Sequence, residues 1–515
     1  MSLYFAFRDL TNNVAQIPET ATKTIGEQLV KLCSMHGEFP TSLKLLQELR
    51  ALAFSDRLKS EQLASAICDD PLLSLRLISV VNSTLYSRGH DITSVLGAVN
   101  LVGINRIPDV ATEVADAKNF RAIFLGRSVS ALVFQEMVLS SILARRIVSI
   151  LAPRQGLEGN AHILAVLSRL PLALLAFDKP NIYSALFLDH TRATPAGSLE
   201  KNFKKLVGKS TAEMGADLAS ALNLPKRIVT SIPLVQIAPW HKRTWAADEG
   251  RDVRAVVGAV HIANRLTTII SDFSGLRALN TLIEDMSSRI NLPADKVGES
   301  LGEALSQLVQ SLNHIGFTPM RLPLYVEKYT EPIVEPDGTI NTRSIKWPGL
   351  HERINSFINE LRACFKTRPD EGQFYRLPQA VLCTLRALLH GMNFDFAMFL
   401  RLDKNGGSLA PAVWLGEREP DLNLDEMVRR IIDPNSTYMP DLQAALQRKT
   451  VFTGDPIVPD CWPFVAFPAM ALNDVQGVFF AHKNKRNEAQ ALDTQEQVAA
   501  IALAEEWFDV PVGFC

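Results

Sequence analysis

The only His-Asp doublet in the chain is His90-Asp91. Such a pair can help ligate a divalent metal that activates water against a phosphate ester. It stands between Arg88-Gly89 and Ile92-Thr93-Ser94, in a segment expected to be a loop leading into a helix, with His36 as the only nearby upstream imidazole. A catalytic ion needs several ligands converging on one cavity, and a loop doublet without apolar helical surroundings does not supply them. Asp91 is better read as a favourable charge at the start of the next helix. His162, His190, His241 and His261 are too scattered to form the i, i+4 pair that chelates from one helix face. Each is expected at the surface or hydrogen-bonded in the core.

Thiol chemistry has no better footing. Cys33, Cys68, Cys364, Cys383, Cys461 and Cys515 are dispersed and never form a C-x-x-C pair, whereas zinc ribbons and redox dithiols need two thiolates within a few residues. They read as buried, reduced thiols. There is no G-x-S-x-G elbow, no Walker-type phosphate loop and no G-x-G-x-x-G turn, so nucleophilic hydrolysis and nucleotide binding lack their usual footholds. No enzyme class is favoured.

The elements that would position any site belong to a chain of 515 residues and 56.9 kDa, long enough for two to four folding units at about 100 to 200 residues each. Apolar residues make up 47% and charged residues 21%, the ordinary balance of a globular protein. A formal charge of −2 gives no global field toward nucleic acid or an anionic membrane. The opening MSLYFAFRDL lacks the basic and sustained apolar segments of a secretory signal. The longest nearly apolar window, 163–177, is interrupted by Arg169 and Pro171 and falls short of the roughly 20 residues that span a bilayer. A soluble, cytoplasmic protein without membrane association is expected.

From 24 to 312 apolar residues recur at three and four, the period of helices. Ser60 is expected to cap a helix carrying Leu63 and Ile67, and Asp70-Pro71 is an N-cap and first-turn pair ahead of Leu73, Leu77 and Val80-Val81. A third helix opens at Thr93 or Ser94 and stops at Gly103. Long apolar helices follow around 133–151 and 162–177, with further helices around 212–222, 251–270 and 296–312. Between 318 and 350, five prolines (Pro319, Pro323, Pro332, Pro336 and Pro348) and Asp337-Gly338 mark a linker or extended strap. Beyond it, helices at 351–365 and 377–392 lead into a period of two at Phe394, Phe396, Met398, Leu400 and Leu402. Asn405-Gly406-Gly407 turns the chain into a returning strand at 409–415, strands at 464–472 and 477–482 follow, and a helix capped by Asp493 and Glu496 closes the chain.

The stretch 39–103 resembles an HDOD domain, a bacterial signalling relative of the HD hydrolases. The matching segments are Phe39-Pro40, Leu63-Ala64-x-x-Ile67-x-x-Asp70-Pro71, Asn82-Ser83-x-x-Tyr86, and Ile92-x-Ser94-x-x-x-Ala98-Val99-x-x-Val102-Gly103. Gly208, Glu213-x-Gly215-Ala216-x-Leu218-Ala219, Leu224-Pro225 and His261-Ile262-Ala263-Asn264 continue the likeness. Asp70, Pro71, Asn82, Ser83 and Gly103 are read as structural family positions rather than as a binding site, because Asp, Asn and Ser commonly bond local backbone. The resemblance places the hydrolases' ion-binding doublet near 165–171, where this chain has Leu167-Ser168-Arg169-Leu170. Serine is a weak ligand and a guanidinium repels cations.

Residues 351–515 are similar in element order to a GAF-like domain, a fold that binds small molecules or dimerises. Phe396, Trp414, Phe452 and Trp462 are candidate walls of a sensor pocket, with core packing as the simpler reading. Cys383 and Cys461 lack a cationic sequence context that would make either a chromophore or redox thiol. No cofactor and no metal are expected. The terminal helix, with Val498, Ile501, Ala502, Trp507 and Phe508, either packs internally or meets a second copy in a homodimer.

The expected architecture is therefore multidomain. It comprises an N-terminal extension (1–23), an all-α HDOD, HD-like helical domain (24–317), a Pro-rich linker (318–350) and an α+β GAF-like domain with an antiparallel sheet (351–515). The function implied is a non-enzymatic bacterial scaffold that binds a signalling partner protein or small-molecule ligand and is coupled to a sensor or dimerisation unit. The alternative is a divergent metal-dependent HD phosphohydrolase acting on nucleotides or cyclic dinucleotides. Nucleic acid is not an expected partner, since Arg76 is the sole basic residue between Glu61 and Leu85.

Overall fold

The computed structural model describes residues 19–34, 41–53, 59–83, 91–114, 128–153, 156–192, 198–239, 250–290, 292–327, 329, 333–334, 340–341, 347–366, 376–403, 407–417, 429–430, 438–458, 461–471, 474–485 and 491–508. The Phe39-Pro40 segment, Tyr86, His36, His90, His241, Asn405-Gly406, Pro332, Pro336, Asp337-Gly338 and Cys515 lie outside them.

Up to residue 327 the regular elements are helices: α1 (Glu19–Ser34), α2 (Leu43–Ala53), α3 (Ser60–Cys68), α4 (Pro71–Val81), α5 (Val95–Val102), α6 (Ile107–Val114), α7 (Ser128–Leu151), α8 (Glu158–Asp178), α9 (Pro180–Arg192), α10 (Ser198–Val207), α11 (Thr211–Ala221), α12 (Lys226–Ser231), α13 (Arg251–Ser271), α14 (Leu276–Ile290), α15 (Ala294–His314) and α16 (Leu324–Glu327). Helix α7 is the spine, packing on α8, α13 and α15. Among the described residues two helices, α8 and α13, are long and apolar enough to cross a membrane, but both are largely buried within the bundle. An amphipathic or all-apolar helix covered by its neighbours needs no lipid.

Helix α8 outruns the apolar window read from the sequence because neither interruption breaks it. Arg169 is neutralised by a buried partner, described below. Pro171 has no N–H to give the Leu167 carbonyl, and α11 comes in at that point. A Cβ on Gly215 would lie 3.1 Å from the Leu167 oxygen and 3.1 Å from Ile232 Cγ2, so glycine permits the approach. Ser60 is the first residue of α3 rather than its cap. The cap is Lys59, whose N–H donates to Gln62 Oε1 at 3.1 Å.

The start of the Pro-rich strap is built into the core. Met320, Leu322 and Val326 are buried, and Gln135 of α7 clamps Met320 by donating to its carbonyl (2.9 Å) and accepting from its N–H (2.8 Å). A short ladder of β1 (Ile333–Val334) and β2 (Ile340–Asn341) follows.

The C-terminal unit is α+β. Helices α17 (Leu350–Lys366) and α18 (Arg376–Arg386) precede a π-helical turn, Ala387–Gly391, and then come β3 (Phe396–Asp403), β4 (Ser408–Gly416), β5 (Arg429–Arg430), α19 (Pro440–Gln447), β6 (Trp462–Ala471), β7 (Asp474–Lys485) and α20 (Thr494–Glu505). The sheet is antiparallel, in the order β5-β4-β3-β7-β6. Strand β3 lies at its centre and is buried on both faces. Phe396, Met398 and Leu400 join a cluster under α19, while Ala397 and Phe399 join the main core. That core is continuous from the helical bundle into α17, α18 and α20.

The terminal helix splits its apolar residues. Trp507 is buried and donates from Nε1 to Thr384 Oγ1 at 2.9 Å, with Ala500, Leu503 and Ala504 beside it in the core. Val498 and Ile501, expected on the same face, point outward.

Candidate functional site

The motif residues of the first helices tie backbone to backbone. Asp70 is fully buried and caps α4, accepting from Leu72 N and Leu73 N at 3.1 Å each, and from Ser42 N at 3.3 Å. Burial pushes its carboxyl up to about 6, against the pull of these three N–H donors. Pro71 occupies the first turn, and Ser83 Oγ donates to Val80 O at 2.6 Å. The Asn82 amide donates to Ile78 O (2.9 Å) and Ile92 O (2.8 Å) and accepts from Ile92 N (3.0 Å), clamping the end of α4 to the approach to α5. Ser94 caps α5, and Gly103 ends it at φ +89°, a conformation that favours glycine.

Residues 168 and 169 stand where α8 packs on α7 and α13. Ser168 Oγ donates to Ala165 O at 2.7 Å and accepts from Asn264 Nδ2 at 2.8 Å. Arg169 is held on several sides. Its Nη1 donates to Glu136 Oε2 at 3.0 Å, its Nε to Asn264 Oδ1 at 3.1 Å, and its Nη2 to Asn264 O at 2.9 Å and Thr268 Oγ1 at 3.1 Å. Ser140 Oγ donates to the same Asn264 Oδ1 at 2.7 Å. At the position to which the resemblance assigns the ion-binding doublet, the guanidinium offers only donors, which have no capacity to ligate metal. These residues do not fit a hydrolase ion.

Residues 39–236 match the HDOD domain model.

HDOD domains are related to HD phosphohydrolases and are usually non-catalytic. Among solved structures, the MmoQ response regulator of Methylococcus capsulatus is 20% identical with a TM-score of 0.37, covering 52% of this chain and 96% of its own. A Campylobacter jejuni virulence factor is 16% identical with a TM-score of 0.40, covering 59% and 99%. The C-terminal part is similar to the GAF domain of an Acinetobacter phosphoenolpyruvate-protein phosphotransferase at 11% identity and a TM-score of 0.23, covering 31% and 91%. No curated protein matches.

A polar cleft of about 500 Å³ opens between α3, α7 and α15, the last of them beyond the matched residues. Arg146 bonds Glu303 and Gln307 along one wall. On the other, the Asp69 carboxylate accepts from Ser311 Oγ at 2.5 Å and faces His314 Nδ1 at 2.6 Å, while His314 Nε2 pairs with Glu48. Sequence reading passed over this cluster, because Asp69 and His314 are far apart in the chain and neither lies in a motif.

The remaining sequence candidates disperse. Asp91 is exposed ahead of α5. His261 Nδ1 lies 2.8 Å from Val235 O. His162, expected at the surface or hydrogen-bonded, is instead 1% exposed with no partner for either ring nitrogen among the described residues. Burial, and secondarily Arg145, pushes it down to about 3. Cys33, Cys364, Cys383 and Cys461 are buried and Cys68 is half-buried, and none of these five is in a disulfide among the described residues. Burial raises Cys33 to about 12 and Cys68 to about 11, and carries Cys383 well above its ordinary value. Thiols so shifted are poor nucleophiles.

Of the four aromatic candidates, Phe396, Trp414 and Trp462 belong to the cluster under α19, with Phe396 stacked on His482 at 5.2 Å. Phe452 packs against the main core instead.

The two units meet at a buried polar seam. Glu360 of α17, 1% exposed, accepts from Ser128 Oγ, from Val129 N at 3.1 Å and from Gln379 Nε2 at 2.8 Å. Arg386 and His390 also cross it. Neither was singled out from the sequence, since an arginine and a histidine near a helix end carry no signal until their partners are known.

Proposed function

We propose that this chain is a non-enzymatic signalling protein of the cytoplasm. Its HDOD region acts as a scaffold for a partner protein, and the C-terminal unit, read as GAF-like, is the sensor or dimerisation module that controls it. The single observation that carries the reading is Arg169, a guanidinium bonded to Glu136 and Asn264 at the position the resemblance assigns to an ion ligand. A cation bound by carboxylate and amide at that point gives a stable polar core in place of a hydrolytic centre. The continuous core and the Glu360 seam support control of one unit by the other, because packed interfaces shift between discrete arrangements.

The test is elemental analysis of the purified full chain together with affinity capture from the native cytoplasm. Capture of one defined protein, reduced by charge reversal on the exposed surface of the HDOD region and with no stoichiometric metal, is expected. A stoichiometric manganese, iron or magnesium that is lost on His90→Ala, with hydrolysis of a phosphodiester, would overturn the scaffold reading in favour of a divergent phosphohydrolase.

A further inference from the structure

Arg386, in the last turn of α18, is 2% exposed, yet it belongs as much to the helical bundle as to its own unit. Its guanidinium lies 4.6 Å from the Phe187 ring and 6.0 Å from the Tyr183 ring of α9, and 4.0 Å from Glu136 Oε1 of α7. The other oxygen of Glu136 accepts from Arg169, which holds Asn264, which in turn holds Ser168 and Ser140. A polar ladder thus runs Arg386–Glu136–Arg169–Asn264, from the C-terminal unit to the degenerate doublet of the HDOD region.

The foot of the ladder stands on irregular backbone. Arg386 leads directly into the π turn Ala387–Gly391, and π turns recur at functional sites. His390 in that turn lies 2.8 Å by Nδ1 from Arg321 O of the strap and meets Phe273 edge-on at 4.8 Å. Phe273 at φ +53° and Asn393 at φ +63° both occupy the left-handed region, which an aromatic residue seldom adopts. Gly391 is closely packed, since a Cβ there would lie 2.7 Å from Ile354 Cδ1, which would have to shift. The ladder is also incompletely satisfied at this end. Arg386 Nη1 is buried without a hydrogen-bond partner among the described residues, and its approach to Glu136 is longer than a hydrogen bond. Relaxing a π turn to α moves neighbouring side chains by one residue of helical register, about 100° and about 1.5 Å.

We propose that this ladder is the coupling device of the chain: the register of the π turn decides whether Arg386 engages Glu136, and Glu136 passes that state through Arg169 to the contact between α7, α8 and α13. The inference rests on the C-terminal unit being the controlling module, and its test needs neither the signal nor the partner.

Hydrogen exchange of the full chain, read by mass spectrometry, tests it. In Arg386→Met, amides of 164–170 and 262–268 are expected to exchange at least tenfold faster, with α2 and α14 unchanged. Coupling free energies are reciprocal, so Asn264→Ala, a change inside the HDOD region, should accelerate 385–392 comparably. Acceleration confined to the neighbourhood of each substitution, or equal acceleration everywhere, overturns the proposal. Should Arg386→Met fail to fold, Asn264→Ala decides alone: unchanged exchange at 385–392 sinks the ladder. Failure to capture a partner protein would count against the scaffold reading and leave this result standing.

Discussion

Arg169 and Glu136 face each other at 3.0 Å across α8 and α7, with side chains only 11% and 12% exposed. Glu136 also serves Arg386 from the opposite direction, so one carboxylate is shared by two buried cations. Asp272 lies in the same field, and burial reinforced by Glu136 pushes its carboxyl up to about 7. Glu136 is therefore a counter-charge that faces both Arg169 and Arg386.

Removing it withdraws the hydrogen-bonded partner of Arg169 and the nearby negative charge that faces Arg386. Glu136→Gln is expected to lower stability by ~3–5 kcal/mol, the usual cost of breaking a buried ion pair from one side. Urea denaturation measures this. A loss below about 1 kcal/mol, the range of surface pairs, would show that the pair is not buried in solution. Replacing Arg169 and Glu136 together by methionine should cost less than either single change, since no unpaired charge then remains at that contact.

Acid should weaken the fold partly through His162. Its folded value of about 3 lies below the ordinary value of 6.5, so the unfolded chain takes up a proton between those limits that the folded chain refuses. The contribution to stability is full above about pH 6.5 and is lost as pH falls toward 3. His390, at about 3, and His482, at about 4, act in the same direction. Asp70 and Asp272 are raised and act oppositely, losing stability as pH rises through about 6 and about 7. His162→Leu is expected to reduce the drop in urea midpoint between pH 7.5 and pH 5, with no loss at pH 7.5. An unchanged drop would mean that the imidazole reaches water.

Gly215 is a steric requirement of the α8–α11 contact. Gly215→Val places branched carbons against the Leu167 carbonyl and Ile232, where even a Cβ is tight, and should cost ~1–3 kcal/mol as an overpacked site. Thermal unfolding reads this directly, and an unshifted midpoint would mean that the helices part without penalty.

Asn82→Ala deletes a three-bond clamp and leaves the Ile92 N–H without its acceptor. A destabilisation of ~1–3 kcal/mol is expected for a partly buried amide left unpaired, together with faster hydrogen exchange at Ile92. Wild-type exchange at that amide would contradict the clamp.

The order of the elements was legible from the residues alone. Helical periodicity, the Asp70-Pro71 start, the Ser94 cap, the Asp493–Glu496 capping box and the alternation at β3 are short-range signals, and local backbone chemistry writes them into adjacent positions. The chain also disclosed that Ser168 and Arg169 stand where ligands were expected. It disclosed nothing of what holds Arg169, because Glu136 and Asn264 lie 33 and 95 residues away along the chain, and Arg386 lies in the other unit. Which polar group meets which, which apolar residues of the last helix turn inward, and why His162 is buried without a partner among the described residues are all decided by packing. A buried charge is stable only beside a partner that the fold delivers to it, and that partner is chosen in three dimensions.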